Sequence, residues 1–286
     1  MKKIKYFFEF LIIFIFLLIF KIAGYRIASN LGNSIGKIIG PRFRSKKVII
    51  DNIKKFKPEI KEDEINHIIE KMWGNYGRIL AEYVYISKFR KRSLDNYIKI
   101  EGLENLKKIK NSGKPTVFIS GHFNNFELMA MVIEREGVEL SAVYRPLNNK
   151  FLNILMEYLR KNYICKNQIK KGLKGVREAL KYFKSGKSLA IMIDQRVSEG
   201  ILSNFFNQNA LTTTIPAQLV KKFNIPVVPV YIERINNLNF KIHINEPINF
   251  SKETSIEDIT FKLNKILEKM ILKRPDQWIW SHNRWK

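Results

Sequence analysis

Cysteine is almost missing from this chain. Cys165 is the only one in 286 residues, which excludes an intrachain disulfide. With four histidines beside it, an array of zinc fingers is excluded as well. A thiol-poor chain suits a reducing compartment. Acidic residues are also scarce: 26 Asp and Glu stand against 51 Lys and Arg, leaving a formal charge of +25. That surplus implies anionic partners, whether nucleic acid, anionic lipid or an acidic protein, although part of it follows a general richness in Lys, Ile and Asn. Glycine- and serine-rich linkers and internal repeats are absent, and the length allows one large or two modest domains. What is plentiful is apolar: 45% hydrophobic and 12% aromatic residues exclude a disordered tail and suffice for a sizeable core.

The longest apolar run lies at the N-terminus. Lys2, Lys3 and Lys5 precede an uncharged stretch from Phe10 to Phe20. A helix needs about 20 apolar residues to cross a bilayer. Ile4 to Ala23 reaches that length only by accepting Lys5, Glu9 and Lys21 near the ends, where long side chains can snorkel. A cleaved signal peptide has the same basic start and short apolar core. Ile22-Ala23-Gly24 is a poor cleavage site, so residues 1–24 are read as an uncleaved membrane anchor, either spanning the bilayer or lying in its interface. Lysine and arginine on both flanks leave its orientation open.

Residues 25–95 read as helical. From Glu62 to Tyr85, Ile65, Ile68, Ile69, Met72, Trp73, Tyr76, Ile79, Leu80 and Val84 recur near a 3.6-residue period. From 96 to 286 short apolar runs alternate with amphipathic stretches. Strands are predicted at 115–119, 140–144, 188–193, 226–231 and 241–244, with helices at 126–136, 150–162, 176–183, 215–223 and 256–272. Strands separated by such helices imply crossover connections, hence an α/β fold with a largely parallel central sheet flanked by helices. Chemistry in such folds gathers beyond the carboxyl ends of the strands.

At the end of the first strong strand stands Ser120-Gly121-His122-Phe123-Asn124-Asn125-Phe126-Glu127. If the loop curls back, Glu127 reaches one imidazole nitrogen of His122 and leaves the other facing a cleft. A carboxylate so placed fixes the tautomer and stabilises the imidazolium, which makes the pair a general base. An unperturbed imidazole, with a pKa of about 6.5, suits that work at neutral pH. The spacing alone serves equally a helix capped by Asn124 or Asn125, with His122 a satisfied polar residue. Its place after a buried strand, among small residues and aromatics, favours the catalytic reading.

The His-x4-Glu block resembles the signature of the lysophospholipid acyltransferase superfamily, and in particular of its lipid A biosynthesis (lauroyl/myristoyl) branch. Other stretches agree in order: Glu101-Gly102-Leu103-Glu104-Asn105-Leu106, Val143-Tyr144-Arg145-Pro146-Leu147-Asn148-Asn149, Ile193-Asp194-Gln195, Asn204-Phe205-Phe206 with Thr212-Thr213, and the closing Gln277-Trp278-Ile279-Trp280-Ser281-His282-Asn283-Arg284-Trp285-Lys286. The resemblance covers nearly the whole chain. One departure is Asn207, where the family has Gly; Asn tolerates left-handed backbone better than most residues, so the turn can survive.

The resemblance implies a glycerol-phosphate acyltransferase-like fold and a membrane-bound O-acyltransferase. His122 and Glu127 would be the catalytic dyad, with His122 taking a proton from a hydroxyl of a lipid A precursor. The freed oxygen would attack an acyl thioester on acyl carrier protein, without cofactor, metal or covalent enzyme intermediate. Arg145, Asp194 and Asn125 would be substrate-binding: Arg145 for developing oxyanion charge or an acceptor phosphate, Asn125 through support of the loop. The bland readings are a surface ion pair for Arg145, a turn or cap for Asp194 and a helix cap for Asn125. The implied partners are acyl carrier protein, a phosphorylated glycolipid and the membrane surface, and the implied place is the bacterial inner membrane with the catalytic domain on the cytoplasmic side. Another acceptor (a glycerophospholipid, an ornithine lipid or a mannosylated lipid) is the nearest alternative. A non-catalytic basic membrane scaffold is a more distant one. No nucleic-acid recognition motif is present, so no specific nucleic-acid partner is expected.

Overall fold

A computed structural model describes residues 2–286. Five helices come first: α1 (Lys2–Ala23), α2 (Tyr25–Ile39), α3 (Lys46–Phe56), α4 (Glu62–Glu82) and α5 (Ile86–Arg90). Then follow β1 (Ile98–Glu101), α6 (Leu103–Ser112), β2 (Val117–Ser120), α7 (Glu127–Arg135), β3 (Leu140–Tyr144), α8 (Lys150–Leu159), β4 (Asn167–Lys170), α9 (Leu173–Lys184) and β5 (Ser188–Met192). The chain finishes with β6 (Ile201–Phe205), β7 (Gln208–Thr212), α10 (Ile215–Phe223), β8 (Val227–Ile235), β9 (Asn239–Ile244) and α11 (Ile256–Lys273).

Seven strands form one sheet in the order β1-β9-β8-β2-β5-β3-β4. All neighbours run parallel except β8 and β9, whose short connection permits only an antiparallel pair. The largely parallel sheet flanked by helices is the fold class expected from the pattern. Val117, Phe118 and Ile119 of β2 and Val227, Val228 and Val230 of β8 are buried, as strands covered on both faces require. The edge strands β1 and β4, the hairpin β6-β7 and α6 were not among the predicted elements. In that hairpin Phe206 and Asn207 both take positive φ, 49° and 59°, as a two-residue turn between twisted strands demands. Asn207 therefore keeps the turn that Gly would make.

The amino-terminal helices pack closely on one another. α2 lies directly on α4: a Cβ at Gly36 would sit 2.3 Å from the Trp73 carbonyl oxygen, and one at Gly77 would sit 1.8 Å from that of Gly32. Only glycine lets two helix backbones approach so closely. α1 is attached mainly at its carboxyl end, where Leu17 and Phe20 are buried and Tyr85 Oη donates to the Phe20 carbonyl at 2.5 Å. Near its start, Asn149 Nδ2 donates to the Tyr6 carbonyl at 2.8 Å. Among the described residues, α1 is the one helix long and apolar enough to cross a membrane.

Candidate active site

The site is built by strand register. β2 pairs with β5 so that Ser120 faces Met192, and the Ile193 amide donates to the Ser120 carbonyl at 2.9 Å. Two residues beyond that pair, on adjacent parallel strands, come His122 and Asp194. The His122 amide donates to Asp194 Oδ2 at 2.7 Å, and its Nδ1 lies 2.8 Å from Oδ1. Trp278 Nε1 donates to Oδ2 at 2.9 Å. Gly121 between strand and histidine is tightly enclosed: a Cβ there would meet Leu267, Phe123 and Asp194 Oδ2 at 3.0–3.1 Å, so these side chains would have to give way.

Asp194 is wholly buried, yet three donors satisfy it. Burial pushes its carboxyl up, but His122 and the other donors outweigh that and hold it below the usual range. An ionised carboxylate can only accept, so Nδ1 carries the proton and Nε2 is left as the basic nitrogen. Burial likewise pulls the His122 imidazole down, while the Asp194 carboxylate, its hydrogen bond and the more distant Glu127 together raise it above its ordinary value.

Glu127 does not make the contact expected of it. It opens α7, almost buried, and accepts from Arg160 Nε at 2.9 Å, from Arg160 Nη2 at 2.6 Å and from Tyr83 Oη. The Nδ1 side of the imidazole is already taken by Asp194, and the first turn of α7 aims Glu127 towards the ends of α4 and α8. Burial lowers the Arg160 guanidinium, but Glu127 and Tyr83 more than compensate and keep it firmly charged. Burial and the same carboxylate hold the Tyr83 phenol far above its usual range.

Asn125 is buried, does not line the cavity and donates to Glu82 Oε2 at 2.9 Å, a contact that holds the motif loop and touches no substrate space. Glu82 is itself buried and gripped by Arg234, Nη1 to Oε1 at 2.7 Å and Nη2 to Oε2 at 3.0 Å. Arg234 Nε also donates to Asn124 Oδ1 at 2.8 Å, and the Asn124 amide donates to the Gln277 carbonyl at 3.1 Å. The motif loop is thus tied to α4, β8 and the closing segment together.

Beside His122 opens a cavity of about 520 Å³ at the carboxyl ends of β2, β3 and β5. Phe126, Ala142, Val143, Ile164, Ala190 and Met192 make its apolar wall, and Glu127, Arg160 and His282 add polar groups. Arg145 is exposed at the rim and has no carboxylate partner among the described residues. A cavity of this size and character accommodates a flexible apolar ligand with one polar reacting end.

Comparison with known proteins agrees over the full length. The family model for bacterial lipid A biosynthesis acyltransferases matches residues 1–286. The chain belongs to this family. It is 23% identical over 270 residues to the lipid A biosynthesis palmitoleoyltransferase of Escherichia coli K12 and 25% identical over 270 residues to the lauroyltransferase of the same strain, covering 92% of this chain and 86% of the relative in each case. To the myristoyltransferase of that strain it is 20% identical over 261 residues, 89% of this chain and 78% of the relative. Among solved structures it resembles the 1-acyl-sn-glycerophosphate acyltransferase of Thermotoga maritima, with 15% identity, a TM-score of 0.42, and coverage of 89% of this chain and 99% of that one.

For a lipid A biosynthesis acyltransferase, the pocket includes groups that spacing did not single out. Arg160 sits 33 residues beyond Glu127; Glu82, which holds the motif loop from outside the cavity, lies far from either in sequence. His282 stood only in a closing segment matched by resemblance; its Nε2 accepts from the Arg196 amide at 3.1 Å, and burial drives it down to about 4, so it stays neutral. The family blocks that contain Asp194 and Trp278 marked residues that meet at one carboxylate, although nothing in their spacing says so.

Proposed function

We propose that this enzyme moves an acyl chain from acyl carrier protein to a hydroxyl of a phosphorylated lipid A precursor, working at the cytoplasmic face of the bacterial inner membrane, to which α1 anchors it. The observation that carries the reading is a His122–Asp194 pair 2.8 Å apart, its carboxylate buried and its imidazole opening onto an apolar cavity of about 520 Å³, in a chain of this family. His122 Nε2 removes the proton of the acceptor hydroxyl as its oxygen bonds to the thioester carbonyl carbon. The tetrahedral intermediate then collapses, the carbon–sulfur bond breaks, and the imidazolium returns the proton to the departing thiolate. Asp194 holds the imidazole in the productive tautomer and stabilises its cation. Glu127 acts one step back: it fixes Arg160 in the cavity wall and adds negative charge that favours the imidazolium. Arg160 and Arg145 are the two guanidinium groups lining the cavity, and such groups suit both an oxyanion and an acceptor phosphate.

The acyl chain has an apolar path. A second cavity of about 150 Å³ between α9 and α10 is lined by Val176, Ala179, Leu180 and Leu219, and it shares Val143, Lys171 and Ile215 with the first. Lys170, Lys171 and Lys222 at its edge match an acidic carrier protein. In the test, purified enzyme is incubated with a labelled acyl thioester and a lipid extract, and the products are read by mass spectrometry. Wild type yields an acylated lipid A precursor, and His122→Ala yields none while melting normally. Undiminished turnover by His122→Ala would overturn the mechanism; acylation of a different lipid would overturn the acceptor.

A further inference from the structure

We propose that α8 lies in the bilayer surface and forms, with the amino-terminal half of α1, a continuous lipid-facing patch at the mouth of the catalytic cavity. The proposal rests on the membrane reading of α1. A helix on the surface of a protein in water normally buries one apolar stripe and shows a polar face. α8 is apolar on both. Its inner side packs Leu155, Met156 and Leu159 on the core. The opposite side, with Leu147 just before it, exposes Phe151, Ile154 and Tyr158, and Ile154 is 71% exposed. Positions 151, 154 and 158 fall on one helical face, with Leu147 in the segment just before it.

This stripe continues onto α1. The Phe151 ring stands 5.7 Å from that of Phe7 and 6.0 Å from that of Phe10, edge-on to the first. Asn149 fastens the two helices: its Oδ1 accepts from the Phe151 and Leu152 amides, while its Nδ2 holds the Tyr6 carbonyl. An exposed apolar surface extending over two helices marks an interaction site. Its charges favour an anionic bilayer over a protein partner. Lys5, Lys150 and Lys161 are exposed around the patch. Glu157, the one acidic residue of α8, is turned inward to Tyr144 Oη at 2.6 Å and Asn153 Nδ2 at 2.9 Å. An apolar face edged by lysines is the pattern of a helix lying in the headgroup region.

The consequence concerns substrate entry. Arg145 and Leu147, on the cavity rim, lead into α8, and Arg160 in the cavity wall follows it directly. With α8 seated among headgroups, a lipid acceptor reaches His122 sideways from the bilayer without leaving it, and Arg145 meets it at phosphate level.

The test uses the full chain with a single added cysteine carrying a thiol-reactive fluorophore, at Ile154→Cys on α8, at Ile12→Cys on α1, or at Lys184→Cys at the far end of α9. Native Cys165 is buried, with its thiol pushed up to about 12, so the added cysteine is the one that reacts. Each protein is reconstituted in phosphatidylethanolamine–phosphatidylglycerol vesicles with and without a spin-labelled acyl chain. Loss of emission at positions 12 and 154, but not at 184, is the expected result. Loss at 12 with none at 154 overturns the seating of α8 and leaves the anchor standing; no loss at either overturns both. Equal loss at all three overturns the proposal too, because the contact would then not belong to α8.

Discussion

An imidazole bound to a buried carboxylate gives up its proton at a higher pH than one in water, so base strength and availability are set by the same contact. His122 is held above its ordinary value, and only its neutral form can accept a proton. The acid limb of kcat/KM should therefore fall above pH ~6.5. The sign for stability is the reverse: the charged pair favours the fold below the unfolded value, and that contribution fades as pH rises through the folded one. Asp194→Asn removes the carboxylate but not the burial, so the limb should move to lower pH, and turnover should drop by roughly 10³–10⁴ through loss of the tautomer, as it does when a triad acid becomes an amide. Glu127→Gln leaves the His122–Asp194 bond in place and should move the limb less. Rate–pH profiles of the two variants decide it; a larger shift in Glu127→Gln would return the dyad to the spacing first read from the sequence. His122 itself was legible, because a polar residue after a buried strand is visible in one chain. Its partner was not, because the bond to Asp194 spans 72 residues and arises only from β2–β5 register. A local reading sees the carboxylate five residues away and cannot see the one on the next strand.

Elements with strong local patterning were legible, and those held by tertiary context were not. β2, β3, β5 and β8 carry buried apolar runs, whereas β1 reads Ile-Lys-Ile-Glu and β4 reads Asn-Gln-Ile-Lys, half-exposed edges with little to distinguish them from loop. Periodicity revealed α4 but not what covers it. Nothing in the pattern singles out Gly32, Gly36 and Gly77, whose meaning is the backbone contact between α2 and α4. Leucine at Gly77 would gain about 1 kcal/mol in helix propensity, yet its side chain would drive into the Gly32 carbonyl, and overpacking costs about 1–3 kcal/mol or more. Because Glu82 and Tyr83 at the end of α4 hold Asn125 and Glu127, separating the helices also loosens the motif loop. Gly77→Leu should melt several degrees lower and lose turnover with it. An unchanged melting temperature would mean that the two helices are not in backbone contact.

For the molecule as a whole, the membrane reading proposed above sets charge and the apolar patch to work on the same surface. On that reading a net +25 would attract the chain to anionic lipid at a distance, with a reach that shrinks as salt is added, while apolar contact would hold it once there and be insensitive to salt. Removing residues 2–16 separates the two. That deletion takes most of the exposed run of α1 but keeps Leu17 and Phe20, the part that packs on the core, so folding should survive with little change in melting temperature. What remains is the last part of α1, with Leu18, Ile19 and Ile22 exposed, and α8 with the lysines beside it. The shortened chain should no longer sediment with neutral vesicles, should still sediment with vesicles rich in phosphatidylglycerol, and should leave them as salt rises, because each lysine near such a surface contributes only about 1 kcal/mol. The full chain should stay bound throughout the same titration. If the shortened chain sediments with neutral vesicles as the full chain does, the anchor lies outside residues 2–16. If it binds anionic vesicles without any response to salt, charge plays no part in holding it there.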